Sequence, residues 1–244
     1  MTNPDGRPVT GIAHAYPDRV EVRGRDLAGD LMGRLTFTEY FHLLLTGEEP
    51  TEEQRDFLDL LLVAIAEHGL MPSNVAARMT LAADPDSLQG AVAAGILGAG
   101  PVVLGTSEEC ARLLAEGGEP AEIVRRYRDA GAKVPGFGHP VHKPVDPRAE
   151  RILELADERG VSGPNVALAR ALRAELGLVM NVSLPIAAVL LDLGFPPAAA
   201  KAVPILARTA SLLAHLAEER EHPIGFDLAA AADEAVEYEP DARA

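Results

Sequence analysis

Apolar residues recur three or four positions apart through most of this 244-residue chain, and Gly or Pro breaks the pattern at short intervals. A chain written this way folds as helices packed side by side. Composition agrees: aromatics are 4%, Trp is absent, and the apolar share is mostly Ala, Leu and Val with many Gly, which favours closely packed helices over sheets. The pattern predicts helices over Arg25–Leu35, Phe37–Leu45, Thr51–Glu67, Asn74–Ala83, Ser87–Leu97, Ser107–Ala115 and Pro120–Ala130. It continues over Asp146–Arg159, Asn165–Glu175, Ile186–Leu193, Pro197–Ala207 and Thr209–Arg220. Thr36, with Glu39 three residues on, and Thr51 are expected N-caps, and Gly47 an expected stop. Ala91, Ala94, Gly95 and Gly98 would let one central helix approach another backbone closely, which points to a symmetric dimer interface. The fold class expected is all-α. Both ends, about Met1–Asp18 and Asp227–Ala244, are expected to be loosely held unless a partner subunit holds them.

Charge narrows the partners. Twenty-two Lys and Arg against 37 Asp and Glu leave a net charge of −15, which repels phosphate backbones and anionic headgroups. Nucleic acid and membrane surfaces are therefore not expected partners, while a local basic pocket for a small anion is still allowed. A single cysteine, Cys110, excludes an internal disulfide framework and fits a reducing cytoplasm. No apolar run is long enough to span a bilayer, no targeting segment is visible, and no Cys/His spacing implies a metal.

One segment breaks the helical pattern: Lys133–Pro147, rich in Pro and Gly, with His139, His142 and Lys143, and Arg148 just beyond. Gly136 and Gly138 on either side of Phe137 permit close backbone approach to a ligand, while Lys143 and Arg148 supply positive charge. An anionic ligand is implied. The same residues also suit an ordinary helix start, with Asp146 as cap and Pro147 in the first turn. Elsewhere Cys110 reads as a buried small hydrophobe, His14 and His42 as structural, and Glu218–His222 as a solvated charged face rather than a metal site. The run Gly95–Gly105 lacks the Lys-Ser/Thr of a phosphate-binding loop.

From Gly136 to Arg148 the chain reads G-x-G-H-x-x-x-K-x-x-D-P-R, which resembles the signature loop of the citrate synthase family. The resemblance extends to Leu193-Gly194-Phe195-Pro196, Ala207-Arg208-Thr209 and Ala214-His215-Leu216-Ala217-Glu218-Glu219. Upstream, Arg23-Gly24, Leu43–Gly47, Glu67-His68-Gly69, Pro72-Ser73 and Ala77-Arg78 are similar to the short citryl-CoA lyase-like branch. It covers about Val20 to Pro223. It implies a large helical domain (1–104 and 180–244), a smaller helical domain (105–179) carrying the His139–Arg148 loop, and a homodimer.

It also implies a keto acid with carboxylates and an acyl-CoA thioester as ligands, the thioester as substrate, with no other cofactor. His68 and His139 would meet the keto oxygens, Arg148 and Arg208 the carboxylates across one cleft, and Lys143, Gly136 and Gly138 the coenzyme A portion. Where the family places an enolate-stabilising His this chain has Val103, and where it places an Asp base it has Ser183. Neither substitute can perform the step. Nor does an arginine follow Pro223, where the family's second subunit usually supplies one. Two readings follow: an enzyme with altered C–C bond chemistry in which His142 serves as base, or a non-catalytic ligand-binding or regulatory relative.

Overall fold

A computed structural model of the chain describes residues 4–100, 104 and 106–240. Among these, eleven α-helices follow a small antiparallel sheet, so the all-α expectation holds for the body of the molecule. The sheet is β1 (Ala13–Ala15), β2 (Val20–Val22) and β3 (Arg25–Asp26), in that order, with Val22 opposite both Ala13 and Arg25. The helix expected over Arg25–Leu35 is therefore corrected. Arg23 and Gly24 both have positive φ, 50° and 77°, the conformation a tight hairpin needs, and the chain turns back there. A five-residue π turn, Leu27–Leu31, follows, capped by the Asp26 side chain, and Leu31 joins Val22 and Leu43 in a separate apolar cluster.

The helices are α1 (Phe37–Thr46), α2 (Glu52–Ala66), α3 (Pro72–Ala83), α4 (Leu88–Ala99), α5 (Thr106–Glu116) and α6 (Pro120–Asp129). Then come α7 (Pro147–Glu158), α8 (Pro164–Leu176), α9 (Ser183–Asp192), α10 (Ala199–Glu221) and α11 (Gly225–Glu234). Thr36 with Glu39 and Thr51 with Gln54 form reciprocal capping boxes, and Gly47 closes α1 in the left-handed conformation.

Two expected helices, Pro197–Ala207 and Thr209–Arg220, are one. Pro204 lies inside α10 and removes one backbone donor, yet the helix runs on, with the Thr209 hydroxyl bonded to the Ile205 carbonyl. The loose tail expected from Asp227 is instead α11, held against α3. A Cβ on Gly225 would stand 2.6 Å from Ala82 Cβ and 2.9 Å from the Arg78 carbonyl, so the two backbones touch. The small residues of α4 do allow close approach to neighbouring helices. Gly95 faces Leu212 and Ala77, and Gly98 faces Ala76, so the stripe closes on α3 and α10 of the same chain.

The core centres on α9, where every residue from Ser183 to Leu190 is buried. Around it one continuous apolar cluster joins α2, α5–α8 and the first half of α10. Asp192, at the end of α9, accepts the Gly163, Asn165 and Val166 backbone N–H groups and so caps α8. That capping fixes the helices behind the Lys133–Pro147 loop.

Candidate functional site

The loop is pinned to the chain that leads into α9. Gly138 N–H donates to the Val179 carbonyl, Asn181 N–H to the Gly136 carbonyl, and the Asn181 amide to the Gly138 carbonyl. Gly136 has φ +85°, and a Cβ there would meet Leu184 Cβ at 2.6 Å and Cys110 Sγ at 2.9 Å. Only glycine fits. Cys110 itself is buried, which pushes its thiol pKa far up and leaves it inert.

With the loop fixed, three imidazoles converge. Ring centroids lie 5.4 Å apart for His68 and His139, 5.3 Å for His68 and His142, and 4.3 Å for His139 and His142. His139 Nδ1 accepts the backbone N–H groups of Val141 (3.1 Å) and His142 (2.9 Å). Two donors on Nδ1 assign the neutral ring's proton to Nε2. Burial first, then the charges of His142, Arg148 and His68, push the His139 pKa below its ordinary value, with Asp146 opposing. His139 is therefore a neutral N–H donor near neutral pH, suited to a carbonyl or enolate oxygen.

No metal is expected from the sequence spacing, yet one ring nitrogen from each of these histidines lies within 4.8 Å of the others. Their chemistry disfavours a cation. His139 Nε2 carries a proton, and Arg148 Nη2 stands 3.5 Å from it.

The arginines differ from each other. Arg208 is buried on α10, with Nη1 donating to the Ala66 carbonyl at 3.2 Å and Nε without a partner among the described residues. Burial pushes its pKa down, Glu67 opposes, and the like charge of Arg148 adds to the lowering. Arg148 is already engaged within the protein. Its Nε and Nη2 bond to Asp146 at 3.1 and 2.9 Å, and Asp146 is completely buried, also accepting the Arg148 and Val182 N–H groups. Burial alone would raise the Asp146 pKa, but the Arg148 bonds and charge outweigh it and hold the carboxyl below its ordinary value.

His68 follows α2, and its Nε2 is buried without a partner among the described residues. Glu67 Oε1 accepts the His68 and Gly69 N–H groups, at 2.8 and 2.6 Å, which fixes the turn. Glu67 Oε2 accepts Ser211 Oγ and His215 Nε2, and Arg78 donates to His215 Nδ1. Arg78, itself buried, pairs with Glu218 and Glu219. Glu219 is no solvated surface charge, contrary to the sequence reading. It is buried because Arg78 and the Ile224 and Gly225 N–H groups satisfy it. Sequence reasoning missed this chain of contacts, although Glu67-His68, Ala77-Arg78 and Ala214–Glu219 are its visible parts.

Of the remaining predicted residues, Ser183 opens α9, buried, its N–H bonded to Asn181 Oδ1. Lys143 is exposed. Val103 lies outside the described residues. Beside the loop, Tyr127, Arg128, Lys133, Phe137, Gly138 and Leu178 line a cavity of about 420 Å³, apolar with a cationic rim. His42 is structural, its Nδ1 bonded to the Glu48 carbonyl. No helix of the described residues is long and apolar enough to cross a membrane.

The site is thus a helical body that sets three imidazoles, one of them a neutral N–H donor, beside guanidinium groups. The family model for the citrate synthase C-terminal domain matches residues 10–225, and the chain belongs to the citrate synthase family. Among solved structures, citryl-CoA lyase from Hydrogenobacter thermophilus is similar at 31% identity and TM-score 0.86, covering 97% of this chain and 96% of that one. ATP citrate lyase from Methanothrix soehngenii, solved with citrate and coenzyme A, shares the fold at 19% identity and TM-score 0.77, covering 96% of this chain and 42% of that one. Citrate synthase of Haloferax volcanii is 29% identical over 74% of this chain and 51% of its own length. The chain thus spans about half the length of the curated relatives it matches.

Proposed function

We propose that the chain binds a carboxylated keto acid or its acyl-CoA adduct at the His68–His139–His142 cluster and makes or breaks a C–C bond there. Its chemistry differs from ordinary citrate synthesis. The observation carrying this reading is that two buried polar atoms, His68 Nε2 and Arg208 Nε, have no partner among the described residues and lie beside the His139 donor and Arg148. A ligand carbonyl and carboxylate would satisfy them. The cavity beside Phe137 and Gly138, rimmed by Arg128 and Lys133, suits the flat base and phosphates of coenzyme A, and Lys143 is an exposed cation further along the same loop. The likeness to citryl-CoA lyase supports the substrate class. We also propose a homodimer in the reducing compartment that a lone buried cysteine suits.

Calorimetric titration with oxaloacetate, citrate and CoA thioesters tests the reading. Arg208→Leu should weaken every carboxylate by the equivalent of about 1.5–3 kcal/mol, and Lys143→Ala only the CoA-bearing ligands. Equal affinity of wild type and Arg208→Leu for everything that binds would overturn it. Ordinary citrate synthesis, followed as thiol release from acetyl-CoA and oxaloacetate, should be negligible with Val103 and Ser183 in place. The non-catalytic alternative predicts the same binding without turnover of any of these ligands.

A further inference from the structure

We propose that the histidine cluster is itself an enolising site for a 2-keto acid, with His139 holding the enolate oxygen and His142 removing the proton from the adjacent carbon. No thioester takes part. The inference rests on the keto-acid reading above and adds a reaction that the retained residues can perform alone.

The argument begins with what can accept a proton. The carboxylates beside the cluster are both committed as acceptors: Asp146 to the Arg148 guanidinium and two backbone N–H groups, Glu67 to two backbone N–H groups, Ser211 and His215. Ser183 has no base beside it in sequence. Proton transfer therefore falls to an imidazole. His139 is excluded, because its Nδ1 is filled by two N–H groups and its Nε2 bears the proton. The His68 Nε2 is sealed from water and cannot return a proton to solvent. His142 is only partly buried, and its ring nitrogens make no hydrogen bond among the described residues.

The spacing fits. A keto oxygen sits about 2.9 Å from its donor, and the base needs to be about 3 Å from the carbon next to the carbonyl. Ring nitrogens lying within 4.8 Å of one another can span that pair of positions. The step balances: the C–H electron pair becomes the new C=C bond, the carbonyl π pair moves onto the oxygen held by His139 N–H, and the proton rests on His142. Reversal with a solvent proton completes an exchange, so no oxidant, metal or second substrate is required. Arg208, through its unpartnered Nε, would anchor a carboxylate of the same acid.

The test uses the full chain with 2-oxoglutarate and oxaloacetate in deuterium oxide, following loss of the C3 proton signal by NMR against buffer alone. Calorimetric binding of the same acids runs in parallel. Wild type should exchange the proton at least about tenfold faster than buffer, and His142→Gln should fall to about the buffer rate while still binding. Added imidazole should restore exchange to His142→Ala, which also decides the matter if the Gln variant does not fold. Exchange at the buffer rate by wild type that binds the acid overturns the enolising role and leaves the binding reading intact. Undiminished exchange by folded His142→Gln overturns the assignment of the base. If neither acid binds, the keto-acid reading falls and this inference falls with it.

Discussion

Arg148 faces two demands at once, and the structure shows which it meets in the free protein. Its guanidinium already neutralises Asp146, a fully buried carboxylate at the N-cap of α7. Replacing it with alanine should therefore do more than weaken a ligand. A buried carboxylate would lose its charge partner, at roughly 3 kcal/mol, and the melting midpoint of the unliganded protein should drop. A midpoint unchanged in Arg148→Ala would show the pair to be inconsequential. The acid limb follows the same logic. Asp146 has a pKa depressed in the folded state, so its contribution is present above the ordinary carboxylate value and is lost as pH falls through the lower folded value. Denaturation midpoints from neutral pH to about pH 2 should show that loss in wild type and less of it in Arg148→Ala. In sequence, Asp146-Pro147-Arg148 reads as a cap and a free cation, since the fold alone reveals that the carboxylate is sealed from water. His139 was legible from its loop. Its meeting with His68 was not, because that contact depends on how the end of α2 is aimed by Glu67, Ser211 and His215.

At the scale of elements, what the sequence discloses depends on how local the stabilising contacts are. Thr36 and Thr51 cap their own helices through residues three positions on, and both capping boxes are readable without a structure. The start of α8 is not. Gly163, its N-cap residue, has no side chain, and the orphan N–H groups are met by Asp192 from the end of α9. Asp192→Ala should leave three backbone donors without their carboxylate and cost about 2 kcal/mol of stability, read as a shift in the urea midpoint at unchanged m-value. A shift below a few tenths of a kcal/mol would mean that water replaces the cap. The hairpin at Arg23-Gly24 and the uninterrupted α10 escaped a periodicity reading for a related reason. Short strands carry too few residues to show alternation, and Pro204 looks like a break although packing of α10 on α2, α3 and α4 holds the helix through it.

For the whole molecule, the faces still open argue for a second copy. Gly95 and Gly98 of the small-residue stripe on α4 pack within the chain, against α3 and α10. What faces outward is apolar: Leu97 of α4 is 81% exposed and Phe226 of α11 72%, with Leu213 of α10 half-exposed. Helices α4, α10 and α11, which carry these side chains, all pack on α3. This packing is also wired to the site, because Glu219 holds the start of α11, Arg78 holds Glu219, and through His215 and Glu67 the same contacts end at the His68 turn. A two-fold pairing through α4 and α11 would therefore brace the histidine cluster from behind. Light scattering at micromolar concentration should give a dimer mass, and the melting midpoint should rise with protein concentration. Leu97→Glu should yield a monomer with unchanged helix content and a concentration-independent midpoint, because the substituted position is solvent-facing within one chain. A monomeric wild type, or a Leu97→Glu variant that still dimerises with undiminished affinity, would place the outward face of α4 outside any interface.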